Sequence, residues 1–195
     1  MKIRQCTNRV LCGLLLVFMC AAHAATPREL PGDSIYQLEI RLVNQNGHGF
    51  DLAQRRGKPQ LVSMFYTSCQ YVCPLIIDTL RKTQKALSPA QRQKLDVLLV
   101  SFDPGRDNPA RLKEVFNERK LDASSWTLSR TEAPNVRKLA AVLDIQYKLL
   151  AGGDINHSTA LILLDANGRV VARTTKIGET DPEFVAAISR ALSAD

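Results

Sequence analysis

An apolar run that leads directly into a pair of cysteines is the feature that most restricts the fold of this chain. Residues 60–66, QLVSMFY, follow a Gly-Lys-Pro turn and are typical of a central strand covered on both faces. Cys69, Cys73 and Pro74 come next, and residues 75–87 carry apolar side chains at helical spacing with basic residues between them. The sequence therefore predicts a buried strand, a short cysteine-bearing loop and an amphipathic helix in immediate succession.

The other segments alternate between strand and helix patterns. Residues 35–43 alternate apolar and polar side chains and, with the NG turn signal at 46–47 and the segment 49–52, predict a hairpin. Further strands are predicted at 95–102, 126–128, 158–164 and 169–173, and further helices begin near residues 108, 134 and 181. A cysteine pair between the first long buried strand and the next helix is the thioredoxin arrangement. We therefore predict an α/β, thioredoxin-like fold, a central mixed sheet flanked by helices, with an N-terminal β-hairpin extension.

The N-terminus has the pattern of an export signal. A basic segment at residues 2–9 precedes an uncharged apolar run at 10–22, and the sequence AHA at 22–24 matches a small-x-small cleavage site. The apolar run, about 13 residues, is shorter than the roughly 18 or more that a spanning helix needs. We expect a secretory signal peptide at residues 1–24, export to the periplasm, and retention as an inner-membrane anchor as the alternative.

Cleavage at this site would leave one domain, residues 25–195, that keeps two of the five cysteines, Cys69 and Cys73. The net charge would fall from +7 to +4, because the removed segment contains three basic residues and no acidic one. The chain has no run of five or more Lys and Arg residues and no aromatic residues interleaved with basic ones, so it lacks the pattern of a nucleic-acid-binding protein. In an oxidising compartment the two cysteines can be thiols or a disulfide.

A cysteine pair at a helix N-terminus supports more than one kind of chemistry. Pro74 favours a helix that begins close to Cys73, where unpaired N–H groups and the helix dipole stabilise thiolates. A lowered thiol pKa serves disulfide exchange and metal binding alike. A disulfide is sterically feasible, since one helical turn separates the two Cα atoms by roughly 6 Å. The loop that it would close is too small to stabilise the fold much, so a purely structural crosslink is disfavoured.

A thiol peroxidase is the nearest enzymatic alternative, because Val-Cys-Pro after a buried strand is typical of a peroxidatic cysteine. Such sites place a Thr or Ser three residues before that cysteine and a Pro seven residues before it. Counting back from Cys73 gives Gln70 and Tyr66, which match neither. The three-residue spacer also differs from the two-residue spacer of thioredoxin-like reductases, and the Cys-x-x-Cys-His pattern of haem attachment is missing from the sequence.

A metal site would need a third ligand, and residues 25–195 contain two histidines. His48 lies in the predicted hairpin turn, where an exposed histidine without a role is the common outcome. His157 comes just before the strand predicted at 158–164, and the loop at that position approaches the cysteine site in a thioredoxin-like fold. His157 is therefore the candidate.

Three segments together resemble the Sco/SenC family of copper-binding cytochrome c oxidase assembly proteins. They are FYTSCQYVCP at 65–74, SFDPGRDNP at 101–109 and NHSTALILLDANGRV at 156–170. The resemblance implies one copper ion, Cu(I) and also Cu(II), bound by Cys69, Cys73 and His157. Two thiolates and one imidazole form a soft three-coordinate set that suits Cu(I), whereas zinc usually takes a fourth ligand.

The resemblance also implies a role and partners. The protein is expected to be a periplasmic metallochaperone that delivers copper to the copper A centre of a respiratory oxidase, or reduces the cysteines of that centre. The implied partner is the copper A subunit of cytochrome c oxidase or a related copper enzyme, with other periplasmic copper chaperones or thiol reductants as further contacts. We expect a monomer that binds no nucleic acid. The alternative is a thiol-disulfide oxidoreductase whose redox dithiol is Cys69 and Cys73, so enzymatic activity stays an open question.

Two segments near the candidate ligands need comment. The family commonly has an aspartate directly before the histidine, where this chain has Asn156, and Asp154 is the acidic residue close by. Asp103 and Arg106 match the Asp-Pro loop of the family. For that pair, a turn with a local ion pair is at least as good an interpretation as contact with the metal.

Overall fold

Nine strands and five α-helices make up the part of the chain that the computed structural model describes, residues 29–193. The strands are β1 (Arg41–Asn44), β2 (Gly49–Asp51), β3 (Gln60–Phe65), β4 (Asp96–Ser101), β5 (Trp126–Arg130), β6 (Tyr147–Leu149), β7 (Ile155–His157), β8 (Leu161–Leu164) and β9 (Val170–Thr174). The helices are α1 (Val72–Lys85), α2 (Pro89–Gln93), α3 (Pro109–Glu118), α4 (Ala133–Val142) and α5 (Pro182–Ser193).

Seven strands form one mixed sheet in the order β2-β1-β5-β4-β3-β8-β9. β3 lies between β4, with which it pairs in parallel, and β8, with which it pairs antiparallel. All six residues of β3 are buried, as its apolar run predicts. The thioredoxin-like α/β fold, with a central mixed sheet flanked by helices, is confirmed. The predicted N-terminal hairpin is also present, as β1 and β2 at one edge of the sheet.

Helix α1 packs against the central strand because its apolar residues recur at helical spacing. Cys73, Ile76, Ile77 and Leu80 are all at most 3% exposed and belong to the core that includes β3. The cysteine-bearing start of α1 is thereby fixed to the centre of the sheet. Helix α2 was not predicted, although Ser88 and Gln91 form a capping box that signals its start.

The strand predicted at residues 35–43 is wrong in its first half. Residues Ile35–Gln37 form a 3₁₀ turn, and β1 begins only at Arg41. The turn is stabilised from elsewhere in the fold: the Ser34 hydroxyl donates to the Asn167 carbonyl at 2.5 Å and accepts the Tyr36 N–H at 3.1 Å. The buried positions at 35 and 36 therefore arise from docking onto the β8–β9 turn and not from a pleated strand.

The strand predicted at residues 158–164 is also corrected. β8 begins at Leu161, and residues Ile155–His157 form β7, which pairs antiparallel with β6 in a separate two-stranded sheet. We call residues 147–157 the β6–β7 ribbon. Strands of three residues are too short to show a periodic pattern, which is why neither strand of the ribbon was predicted.

The N-terminal pattern predicts a signal peptide at residues 1–24, with membrane anchoring as the alternative. These residues lie outside the described part of the chain. Among residues 29–193, no helix combines the length and the apolar character needed to cross a bilayer.

Candidate metal centre

Cys69 and Cys73 lie where the central strand gives way to α1. Residues 66–71 form the connecting loop, and Cys73 is the second residue of the helix. The Cys73 N–H donates to the Cys69 sulfur at 3.3 Å, and the Tyr66 N–H donates to the Cys73 sulfur at 3.4 Å. Both cysteines are free thiols. The pair therefore lies at the N-terminal edge of α1, as the sequence predicts.

The two thiols differ in their environment. Cys73 is 3% exposed, and this burial raises its pKa far above the ordinary thiol value. Burial acts against the thiolate of Cys69 as well, but it is outweighed by hydrogen bonds from Cys73 and from the N–H groups of Tyr71 and Val72, so the pKa of Cys69 is lowered. The expectation that the helix N-terminus favours both thiolates is thus wrong for Cys73, because its sulfur is packed in the core.

Cys69 opens onto a cavity of about 410 Å³ beside the connecting loop, residues 66–71, which we call the cysteine loop. Asp154, from the turn of the β6–β7 ribbon, lies on the wall of this cavity together with Tyr66 and Tyr71. Asp154 is exposed and Tyr71 is 80% exposed. A partner molecule or an ion can therefore reach Cys69 from solvent through this cavity, whereas Cys73 lines only a smaller cavity of about 80 Å³ on the side of α3.

His157 is the last residue of β7 and is half-buried. Its ring centroid lies 4.8 Å from that of Phe102 and 6.0 Å from that of Tyr66, with the Tyr66 contact edge to face. Its Nδ1 lies 3.0 Å from the Ser158 carbonyl oxygen. Since a carbonyl oxygen can only accept, Nδ1 carries the proton and Nε2 carries the lone pair. Metal-binding histidines commonly have this arrangement, in which one ring nitrogen ligates and the other donates to a backbone carbonyl.

Tyr66 connects the cysteines to the histidine. Its N–H contacts the Cys73 sulfur, its ring contacts His157, and its hydroxyl donates to the Ile155 carbonyl at 3.4 Å. The structure thus brings all three predicted ligands to one region of the molecule. Within residues 29–193, however, no three His, Cys, Asp or Glu side chains are close enough together to hold a metal ion. Coordination would require His157 and the two sulfurs to come closer together.

The other residues considered in the sequence analysis lie in exposed turns or strands or form a local ion pair. His48 is exposed in the turn between β1 and β2. Asn156 is exposed on β7, opposite Lys148 of β6. Asp103 and Arg106 form the predicted local ion pair. Arg106 in addition donates to the carbonyl of Gly153 in the ribbon, which the sequence did not indicate.

Sequence reasoning missed Asp107, whose side chain is completely buried. Its carboxylate accepts the Thr67 N–H at 3.0 Å, the Thr67 hydroxyl at 2.5 Å and the Ser101 hydroxyl at 2.5 Å. Thr67 lies in the cysteine loop, so Asp107 reaches the site from a segment 40 residues away. The only signal in the sequence is an acidic residue in the loop between a buried strand and the next helix, which by itself suggests a solvated turn.

Comparison with known proteins gives a consistent result. The sequence model of the SCO1/SenC family matches residues 29–193. A SCO2-like protein of Rickettsia conorii is 27% identical over 139 residues, and a protein of Stutzerimonas stutzeri assigned as copper-binding is 33% identical over 131 residues. Each alignment covers 67% of this chain and less than two thirds of the relative, 65% and 64% respectively. Among solved structures, a SCO1/SenC family lipoprotein of Bacillus anthracis str. Ames is 25% identical with a TM-score of 0.70, over 77% of this chain and 91% of that chain.

Proposed function

Because the chain belongs to the SCO1/SenC family, we propose that it binds one copper ion through Cys69, Cys73 and His157 in the assembly of cytochrome c oxidase. The observation that carries this proposal is the contact of His157 Nδ1 with the Ser158 carbonyl oxygen at 3.0 Å. With Nδ1 engaged in this way, Nε2 is the nitrogen left to bind a metal in the region of the two free thiols. Two sulfurs and one imidazole suit Cu(I). The S. stutzeri relative assigned as copper-binding supports the choice of metal.

The residues of the site take different parts in binding. Cys69 is accessible, and its lowered pKa makes it the first thiolate available to an incoming ion. Cys73 must lose its proton in a buried position, which only the bound ion makes favourable. His157 then closes the three-coordinate set, and this closure requires the ribbon to shift toward the cysteine loop.

Copper is the cargo of this protein rather than a resident cofactor. We place the protein in the periplasm on the strength of the export pattern in residues 1–24. The recipient is the copper A subunit of cytochrome c oxidase or a related copper enzyme. Periplasmic copper chaperones or thiol reductants would load or reduce the site beforehand.

A second candidate function, reduction of a partner disulfide, is favoured by the unequal thiols. The Cys69 thiolate would attack the partner disulfide, forming a mixed disulfide and releasing one partner thiolate. Cys73 would then attack the Cys69 sulfur, which forms the Cys69–Cys73 disulfide and releases the second partner thiol. An external thiol reductant would restore the dithiol. The peroxidase alternative has less support, since the nearby Thr67 hydroxyl donates to Asp107.

The test of the copper site compares the two histidines of residues 25–195. The reduced protein is titrated with Cu(I) in competition with a chromophoric chelator, and the Cu(II) form is examined for sulfur-to-copper charge-transfer absorption. His157→Ala should weaken Cu(I) binding by about tenfold or more and shift the absorption band. His48→Ala, in an exposed turn, should change neither quantity.

Two results would contradict the proposal: less than one copper per chain in the wild type, or unchanged affinity and absorption in His157→Ala. Reduction of a small aromatic disulfide by the same variants separates the second function. It should survive in His157→Ala and be lost in Cys69→Ser, since only the thiols take part. Peroxide turnover that is abolished by Cys73→Ser would instead support the peroxidase.

A further inference from the structure

One loop contacts both halves of the candidate site. The β4–α3 loop, residues 102–108, begins after β4 ends at Ser101 and finishes at Asn108, whose side chain caps α3 by accepting the Arg111 N–H at 3.0 Å. The Phe102 ring packs against His157 and against Tyr147, with ring centroids 5.1 Å apart in the latter contact. The loop therefore lies between the ribbon that carries His157 and the segment that carries the cysteines.

Arg106 ties this loop to the ribbon. Its guanidinium pairs with Asp103 through Nε and donates to the Gly153 carbonyl through Nη2. Gly153 has φ +84°, and a Cβ at this position would lie 3.3 Å from Arg106 Nη1, so the guanidinium lies against the ribbon backbone. In the described part of the chain the two ribbon strands pair only with each other. A two-stranded sheet is marginally stable alone, so its position depends on such contacts.

Asp107 ties the same loop to the cysteines. Its buried carboxylate is satisfied by three neutral donors, two of which belong to Thr67. A buried carboxylate is strongly destabilising unless it is hydrogen-bonded, and charge-assisted bonds of this kind are stronger than neutral ones. Thr67 is two residues before Cys69, so the position of the Cys69 sulfur relative to β4 is set through this carboxylate.

We propose that the β4–α3 loop is the positioning element of the copper site: Arg106 positions His157 through the ribbon, and Asp107 positions Cys69 through Thr67. Neither residue is a ligand. The inference rests on the proposed function for what the site binds, but the contacts are independent of it. It follows that the two residues act on different ligands and that their effects can be separated.

A double-mutant cycle tests the first assignment. Arg106→Met keeps the length of the side chain and removes its donors, and it should weaken Cu(I) binding by about fivefold in the wild type and by less than about twofold when His157 is already alanine. Arg106→Lys, which retains one donor group, should fall between. Arg111→Met is the matched control, since Arg111 pairs with Glu114 on the exposed surface of α3, and should leave the affinity unchanged.

The second assignment, of Asp107 to Cys69, predicts no coupling to His157. Asp107→Asn places an amide beside the Thr67 N–H, and it should weaken Cu(I) binding equally with and without His157. Thr67→Val removes one donor to the same carboxylate and should have a smaller effect in the same direction. It serves as the test should Asp107→Asn fail to fold.

Measurements without metal keep this inference distinct from the proposed function. In the reduced apo protein, Arg106→Met should accelerate amide hydrogen exchange in residues 147–157 without altering the alkylation rate of Cys69. Asp107→Asn should alter that alkylation rate and leave exchange in the ribbon unchanged. The assignment of Arg106 to His157 would be overturned by an equal loss of Cu(I) affinity from Arg106→Met in the wild type and in His157→Ala. Unchanged amide exchange in the ribbon would overturn it as well, even if the copper site is correct. If the wild type binds no copper, the proposed function fails and the two apo measurements still decide whether the loop positions both segments.

Discussion

The cysteine loop and the β6–β7 ribbon carry the two halves of the candidate site, and they are built into the fold to very different degrees. Cys73 lies in α1, 3% exposed and packed on the buried strand β3. His157 lies in a two-stranded sheet outside the main one, and the neighbouring Leu149 of the ribbon is 65% exposed. The first half is continuous with the core, whereas the ribbon contributes one buried residue to it, Ile155, and packs Tyr147 against it.

This difference indicates how a cargo site can both hold and release an ion. In the proposed site the Cys73 sulfur is fixed by core packing, so it would define where the ion sits. The imidazole is carried by an element whose one buried apolar residue is Ile155, so a shift of the ribbon would expose less apolar surface than a shift of α1. In the proposed site, copper affinity would depend on the position of the ribbon, and movement of His157 away from the sulfurs would open the site without unfolding the protein.

The largest expected effect comes from replacing the buried sulfur. Cys73→Ser should lower Cu(I) affinity by at least about a hundredfold, more than the loss of a residue that only supports a ligand. It should also lower the free energy of unfolding by about 1–3 kcal/mol, because it buries a hydroxyl among apolar neighbours. Competition titration and chemical denaturation measure the two quantities. Cys69→Ser, at a half-buried position, is the control: it should lose copper to a similar degree with a smaller loss of stability. Equal destabilisation by both variants would contradict the contrast between core and surface.

A smaller effect is expected in the reactivity of the apo thiols. Alkylation by iodoacetamide requires the thiolate, and the pKa of Cys69 is lowered while that of Cys73 is raised by burial. At pH 7, Cys69 should react at least about tenfold faster than Cys73, and its rate should reach half of its maximum below pH 8.5, the ordinary pKa of a thiol. Mass spectrometry of the digested protein over a pH series checks both statements. A half-maximal rate for Cys69 at or above pH 8.5, the ordinary thiol pKa, would show that its thiolate is not stabilised.

The smallest effect concerns the ribbon. Asn156→Asp introduces the aspartate that is common before the histidine in this family, at an exposed position paired with Lys148. We expect a change in Cu(I) affinity of less than about threefold, because screening by water limits a charge at an exposed site. Lys148→Asp at the paired position is the control for charge. A tenfold gain in Asn156→Asp alone would mean that the ribbon moves far enough to bring residue 156 to the ion.

Prediction from the sequence succeeded where the pattern is long and local. The apolar run of β3, the amphipathic spacing of α1 and the Asn108 cap of α3 each report on the element that contains them. Prediction failed where distant contacts decide the structure. Tyr36 is held in a 3₁₀ turn by packing onto the β8–β9 turn, and His157 is in a strand only because Tyr147 pairs with it.

The sequence by itself predicted the donor atoms of the candidate site: two thiols with a three-residue spacer at a helix start and, through the family resemblance, one histidine. It could do so because donor atoms and spacing are properties of the residues themselves. Tertiary structure alone decided which thiol is accessible and that Asp107 and Arg106 link the two halves. These features depend on burial and on hydrogen bonds between segments 40 and 47 residues apart, which no local pattern records.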